Sequence, residues 1–403
     1  MRVLVFSQYF APEIGATQAR VAAFAEGLAA LGHDVEVICE VPNHPQGVVH
    51  DGYAGRPLVR GRTGGYRVKH VWVWTQSEKT RLGRLAFYGS YAAMAAIVGA
   101  SIAKPDVVLA SSPPLPVAAA GALVAARHRV PWVLDVRDLW PEAAVALGEL
   151  SGPRPIAAAQ ALADRLYRSA SRITVVTEPF REAIAKRIDD PEKVSLVPNG
   201  TTQFWLDGSQ LEPDRAELGL PSDRFVWTFA GNVGLAQGLD SAIDAAGMLG
   251  EQFRLLIVGD GPARARLEER ARGLSPGRVE FRDQCSPVDA RKYLRASDAL
   301  LVPLAADPAL RDFVPSKLYD FCAVGKPVIV AAAGEAPRLT ARREAAVTVP
   351  PGDPGALSSA LLELRNDPLL RDRLAAAGAR FGAQNEREHQ VERLAGLLAS
   401  SRT

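Results

Sequence analysis

Hydrophobic positions in this chain alternate between two kinds of pattern. Short apolar runs such as Arg2–Phe10 and His33–Val41 are bounded by polar or glycine-containing loops and predict strands. Between them, apolar residues recur three and four apart. Val21, Phe24, Leu28 and Leu31 form one such stripe, closed by Gly32, and predict a helix over 17–32. The same succession continues with strands at Arg67–Thr75, Asp106–Ser111, Pro131–Asp135, Arg172–Val176 and Val194–Val197. Helices are predicted between them at Leu82–Ala103, Leu115–His128, Pro153–Ser169 and Pro179–Lys186. Strand–helix–strand succession predicts an α/β fold with a parallel sheet.

Pro198-Asn199-Gly200 is a turn signal, and a polar stretch follows it. After that the pattern restarts. Strands are predicted at Phe225–Ala230, Arg254–Val258, Val279–Phe281, Ala299–Pro303, Pro327–Ala331 and Ala346–Val349, with helices between them and three more in the tail. This predicts two Rossmann-like domains, residues 1–200 and 201–384, followed by a C-terminal helical segment, 385–403. With 403 residues, 48% of them hydrophobic, each half has material for its own core.

Charge and cysteine content narrow the classes. A net charge of +2 argues against nucleic acid as a partner. Three cysteines (Cys39, Cys285, Cys322) without a CxxC pair, and histidines without ligand spacing, predict a reducing compartment and no metal centre. Met1–Phe10 reads as a strand, with no basic start or cleavage site of a secretory leader. Leu85–Ala103 carries no charge for 19 residues but is dominated by Ala, Gly and Ser. It is read as a domain helix whose Tyr88, Tyr91, Met94 and Ile97 share one side, and which either packs on its own sheet or touches a membrane surface.

Five loops at predicted strand ends carry candidate chemistry. Phe10–Thr17 offers Gly15 and a helix start with Thr17 as a cap, suited to a phosphate although it is not GxGxxG. Phe229–Gly238, FAGNVGLAQG, holds Gly231, Asn232, Gly234, Gln237 and Gly238. Gly259–Arg264, GDGPAR, places Arg264 at a helix start, where the helix dipole disfavours a cation and a ligand would have to favour it. Arg311–Pro327, RDFVPSKLYDFCAVGKP, sets Asp312, Lys317 and Asp320 around one helix start, the lysine suited to phosphate and the acids to hydroxyls. Asp135–Glu142, DVRDLWPE, provides Asp138 as the active-site polar residue of the first domain, with Arg137 and Glu142 either orienting it or meeting acceptor groups. Asn43 and His44 are lesser acceptor-side candidates, and Trp140 is either an aromatic platform or a core anchor.

Taken together, SQYFAPE, EVPNHPQG, VRDLWPE, FAGNVGLAQGLD and FVPSKLYDFCAVGKPVI resemble the retaining glycosyltransferases of family 4, nearly along the whole chain. The branch resembled acts in bacterial surface-polysaccharide assembly and includes fucosaminyltransferase-like proteins of O-antigen synthesis. The resemblance implies a B-type fold with two Rossmann-like domains facing a central cleft, the acceptor on the first and a nucleotide-sugar, by family association a UDP-sugar, on the second. It implies retention of anomeric configuration without a metal or a covalent nucleophile. The family's two glutamates, separated by seven intervening residues, correspond to Asp312 on the donor sugar and Asp320 on the ribose. Its diphosphate-binding arginine and lysine correspond to Asn232 and Gln237, so both charges are missing and Lys317 becomes the leading replacement, helped by Arg264, Arg311 and the Gly15 amide. The base is expected near Gly259, Phe281–Gln284 and Leu318. The last helix, about Glu386–Ala399, is expected to cross back to the first domain. A polyprenyl-diphosphate-linked saccharide is the implied acceptor. A cytoplasmic enzyme peripheral to the inner membrane face is the implied setting, with Arg81, Arg84 and Lys104 flanking the uncharged helix. Transfer to a soluble small molecule, sugar-nucleotide epimerisation, phosphorolysis and non-catalytic binding of a nucleotide-sugar within an assembly complex remain the alternatives.

Overall fold

The computed structural model describes residues 1–13, 15–43, 47–75, 80–146, 148, 150–208 and 213–402. The chain forms two compact units, Met1–Asn199 with Arg387–Thr403, and Gly200–Glu386.

Unit one is built on strands β1 (Arg2–Phe6), β2 (Asp34–Glu40), β3 (Leu58–Thr63), β4 (Tyr66–Val71), β5 (Val107–Ser112), β6 (Trp132–Val136), β7 (Arg172–Val175) and β8 (Val194–Leu196). They form one sheet in the order β3-β4-β2-β1-β5-β6-β7-β8, parallel except for the β3–β4 hairpin. β5 and β6 are buried at every position, as helices on both faces require. On one face α1 (Ala16–Ala30) packs Val21, Phe24 and Leu28 against Val3, Val5, Val35 and Val37, and the C-terminal helix Arg387–Ser400 adds Val391 and Leu394 to that cluster. On the other face lie α2 (Arg81–Ser101) and α3 (Leu115–His128).

β3 was not predicted. Its arginines leave no apolar run, and it is an edge strand with four exposed residues, so only the Gly64-Gly65 turn marks it in the sequence. In α2 the expected common side divides. Tyr91 is fully buried and donates its hydroxyl to the Ile38 carbonyl at 2.8 Å, whereas Ile97 is exposed. Among the described residues no helix is long and apolar enough to cross a membrane. Thr17 is not the cap of α1; that position is Gly15, and Thr17 lies in the first turn.

Unit two carries β9 (Phe225–Ala230), β10 (Phe253–Val258), β11 (Val279–Arg282), β12 (Ala299–Pro303), β13 (Val328–Ala331) and β14 (Val347–Val349) in the all-parallel order β11-β10-β9-β12-β13-β14. The sheet separates two apolar clusters, one around Trp227, Phe229, Ile243 and Leu361, the other around Val226, Leu256, Leu318 and Phe381.

Candidate functional site

Strand order decides where each unit can hold a ligand. In unit two the first strand, β9, lies between the second and the fourth. Connections therefore leave β9 and β12 toward opposite faces and open a crevice at their carboxyl ends. Two of the candidate loops, Gly231–Gly238 and the segment before Lys317, leave these two strands. In unit one the corresponding point lies between β1 and β5, where the Phe10–Thr17 loop emerges.

Lys317 occupies the first turn of the helix Lys317–Ala323. Its ammonium lies 3.8 Å from the Phe229 ring centroid and donates to the Ala230 carbonyl at 3.1 Å. It meets no carboxylate among the described residues, and desolvation lowers its pKa from 10.5 to about 7. A lysine held beside a strand end with one acceptor and an aromatic face is under-coordinated, and an anion arriving there would restore its charge.

The backbone beside it is shaped for close approach. A Cβ on Gly231, φ +127°, would lie 2.9 Å from the Lys317 Nζ. A Cβ on Gly259, φ +137°, would lie 2.0 Å from the Gly231 carbonyl oxygen, so the loops after β9 and β10 can touch only through glycine. Gly259→Ala is accordingly expected to weaken donor binding at least tenfold and to lower the melting temperature by several degrees. Calorimetric titration and thermal melts check this, and a variant that binds donor like the parent would refute the tight-approach argument.

The other expected donor contacts divide. Asn232 is exposed beside Gly231. Gln237 has a buried side-chain carbonyl with no hydrogen-bond partner; reversing the amide would put its N–H at that spot, a neutral donor suited to a phosphate oxygen. Arg264 is engaged inside the unit, donating to Glu268 at 2.7 Å and to the Gly259 carbonyl at 3.1 Å, with Asp283 at 2.8 Å. These contacts brace the loop after β10. Leu318 is fully buried in the core and its N–H is bonded to the Pro315 carbonyl. Gln284 is exposed beyond β11. Asp312 is exposed on the β12 loop. One Asp320 oxygen accepts from the Thr201 hydroxyl at 2.9 Å.

In unit one, Asp138 follows β6. Desolvation raises its pKa, with Arg137 opposing, and it accepts no hydrogen bond among the described residues. A partly buried carboxylate without a hydrogen-bond donor is a better base than a surface aspartate. Arg137 donates to the Ser111 hydroxyl at 2.9 Å, to the Thr17 hydroxyl and to the Pro113 carbonyl. It thereby fastens the start of α1 to the ends of β5 and β6. Gly15 has φ 172°, ordinary extended backbone, so a special conformation is not what places glycine there. Asn43 donates to the Glu40 carboxylate at 2.9 Å. His44 and the Arg81 side chain lie outside the described residues.

Two acids escaped the sequence reading. Glu40, at the end of β2, is nearly fully buried, accepts from Gln8 at 2.8 Å and from Asn43, and burial raises its pKa well above 4.5. Glu13 accepts from the Asn43 amide at 2.7 Å. These contacts tie the β1 and β2 loops together. The signal available was an acid ending an apolar strand, DVEVICE. In unit two, Glu335 after β13 was also missed: its N–H donates to the Arg311 carbonyl at 2.7 Å, joining the loops after β12 and β13. No group of three or more His, Cys, Asp or Glu among the described residues is placed to hold a metal ion.

Known proteins share this plan. Residues 15–200 match the Glycosyl transferase 4-like domain, and residues 224–367 match Glycosyl transferases group 1. The putative colanic acid biosynthesis glycosyl transferase WcaI of Escherichia coli (strain K12) is 29% identical over 82% of this chain and 83% of its own. Sucrose-phosphate synthase from Thermosynechococcus elongatus superposes with a TM-score of 0.76 at 20% identity, covering 99% of this chain and 98% of its own. HepE of Anabaena, solved in complex with UDP-glucose, superposes with a TM-score of 0.74 at 17% identity, covering 99% and 100%.

Proposed function

Since this chain belongs to the family-4-like glycosyltransferases of the B-type fold, we propose that it moves a sugar, with retention, from a UDP-sugar to a hydroxyl of a polyprenyl-diphosphate-linked saccharide. The E. coli relative is named for colanic acid biosynthesis, which supports a role in cell-surface polysaccharide assembly. HepE, of the same fold, is solved with UDP-glucose, which supports a uridine donor.

The observation that carries the donor side is Lys317, under-coordinated at the switch point of the second sheet. The nucleoside diphosphate sits on unit two, with Lys317 against the developing phosphate charge and the Asn232 and Gln237 amides as neutral donors. Asp320 serves the ribose and Asp312 the donor-sugar hydroxyls. The bond from the anomeric carbon to the distal phosphate oxygen breaks, and the acceptor oxygen bonds to that carbon on the same face. The acceptor proton leaves with the phosphate. Residues 1–200 serve the acceptor, with Asp138 binding or polarising its hydroxyl, and residues 385–403 complete that domain.

The test offers UDP-, GDP- and dTDP-sugars with short polyprenyl-diphosphate saccharides and soluble acceptors, in EDTA, and reads products by mass and anomeric configuration by NMR. A lipid-linked, retained product made equally well in chelator is expected. Asp138→Asn should lower kcat about a hundredfold with donor affinity unchanged. An inverted product, or activity restored only by a divalent cation, would end this reading.

A further inference from the structure

Beyond β4 exposure alternates along the chain. Val71 and Val73 are buried, whereas Trp72 is 40% and Trp74 48% exposed. Residues two apart in an extended segment point the same way and stand about 7 Å apart, so the two indoles form one open platform. They line a recess of about 240 Å³ together with Tyr53, Val41, Val49 and Thr75. The Tyr53 ring is itself set by an edge-on contact with His70 of β4, 5.0 Å between centroids. Backbone bonds fix the surroundings before any ligand arrives. The Trp72 N–H donates to the Pro57 carbonyl at 3.0 Å, the Trp74 N–H to the α2 Ser90 hydroxyl at 2.8 Å, and the Val41 N–H to the Val71 carbonyl at 2.9 Å.

The chemistry of the lining selects its ligand. No charged side chain lines the recess, so it offers nothing to a phosphate, a carboxylate or a cation. Neither indole N–H nor the Tyr53 hydroxyl has a hydrogen-bond partner among the described residues. Broad apolar faces edged by unpaired donors match a neutral pyranose. Its C–H face packs on an indole, and the hydroxyls around its rim bond to the N–H and O–H groups at the edges. An isoprenoid chain would use the faces and leave the donors unmet.

Sheet order places the recess relative to the chemistry. The parallel pairing of β2 with β4 sets Val71 level with Glu40, so Trp72 and Trp74 lie at the carboxyl edge of the sheet. β4 is two strands from β1 and four from β6, after which Asp138 follows. At about 4.8 Å per strand, the recess is about 19 Å along that edge from the end of β6, a span that one pyranose cannot bridge and about three can. From this geometry we infer that the recess is a saccharide subsite remote from the accepting sugar, with Trp72 and Trp74 as its stacking platform. It holds a sugar about two units back along the acceptor. The substrate is then an oligosaccharide, and earlier glycosyl transfers onto the same carrier must supply it. The length argument rests on the proposed transfer beside Asp138; sugar binding in the recess does not.

The experiment titrates the full chain, without donor, with cellotetraose, maltotetraose, mannotetraose and chitotetraose. Tryptophan fluorescence and saturation transfer from protein to sugar protons read the binding. Pyranoses share the C–H face, so at least one tetrasaccharide should bind at millimolar concentration. Trp72→Ala with Trp74→Ala should weaken that binding at least tenfold, and Trp72→Phe with Trp74→Phe less than about threefold. Tyr53→Phe, which removes only a hydroxyl, should weaken it about threefold. All three positions are partly exposed, so melting temperatures should stay within about 2 °C of the parent. With the donor found in the transferase screen, kcat/KM should rise about tenfold, through KM, as the acceptor lengthens from two sugars to four, and the alanine variant should lose that rise. No tetrasaccharide binding, binding indifferent to the two indoles, displacement of the sugar by an equal concentration of farnesol, or an equal loss on acceptors of every length would each overturn the proposal. Tryptophan-dependent sugar binding in a protein that transfers nothing to lipid-linked saccharides would count against the proposed reaction and leave the subsite standing.

Discussion

Replacing Lys317 by Met is expected to lower turnover about a hundred- to a thousandfold while leaving the protein folded. The side chain length is kept and only the ammonium is removed, so the loss measures stabilisation of the leaving diphosphate. The same substitution should raise the melting temperature of the ligand-free protein by a few degrees, because the folded chain no longer holds a desolvated cation. The sign follows from proton counting. Burial lowers the Lys317 pKa from 10.5 to about 7. Between those values the unfolded lysine keeps its proton and the folded one releases it, so Lys317 makes stability rise with pH across that window. The difference between parent and variant should show that rise disappearing. Donor binding has the opposite trend. A phosphate needs the ammonium, so donor affinity should fall about tenfold per pH unit above roughly 7.5 in the parent and stay flat in the variant. Calorimetry in buffers of different ionisation enthalpy would detect proton uptake on binding. A parent with pH-independent donor affinity and no proton uptake would show that Lys317 does not touch the diphosphate.

Arg20→Met is expected to destabilise unit one by about 3–5 kcal/mol, a fall in melting temperature of about 10 °C. Arg20 and Asp135 are almost completely buried and meet at 2.8 Å. Burial alone would raise the Asp135 carboxyl, but the Arg20 guanidinium, with a hydrogen bond from Thr174, holds it below 3.8. Arg20 also donates to the Val197 and Pro198 carbonyls and to Asn199, fastening the segment that leaves β8. Removing it strands a charge in the core. Arg20→Met combined with Asp135→Leu should recover most of the loss, since the penalty belongs to the unpaired partner. Because the Asp135 pKa is depressed, its contribution is complete above pH 3.8 and disappears as pH falls through its folded value. The parent should therefore lose more stability below about pH 4 than the double variant does. A single variant melting with the parent would mean that the pair does not clamp the sheet.

The two predictions differ in how far they were legible. Lys317 stood out because a cation in the first turn of a capped helix opposes the helix dipole. The same argument singled out Arg264, whose surroundings differ. Glu268 one turn on and Asp283 from the next strand absorb that arginine, and nothing in GDGPAR reveals a partner beyond β11. Arg20 drew no notice: on an amphipathic helix it looks like a solvated residue, and its partner lies 115 positions away. Thr201, which holds Asp320, was likewise hidden in a polar linker.

The sequence by itself determined the α/β class, the restart of the pattern near residue 200 and the glycosyltransferase family. Continuous apolar runs, helical periodicity and glycine-rich strand ends are local features, and each reports on its own element. Tertiary structure alone decided the strand order, and with it the two points where connections diverge and a ligand can enter. It also decided which charges are paired and which are not. Lys317 meets a carbonyl and an aromatic ring, while Arg264 and Arg20 meet carboxylates. In α2, periodicity defined a helix but not which side its sheet would claim; burying Tyr91 on that sheet turned Leu82, Leu85 and Ile97 outward. Electrostatic state depends on what lies within a few ångströms in space. Only the folded chain brings those distant residues together.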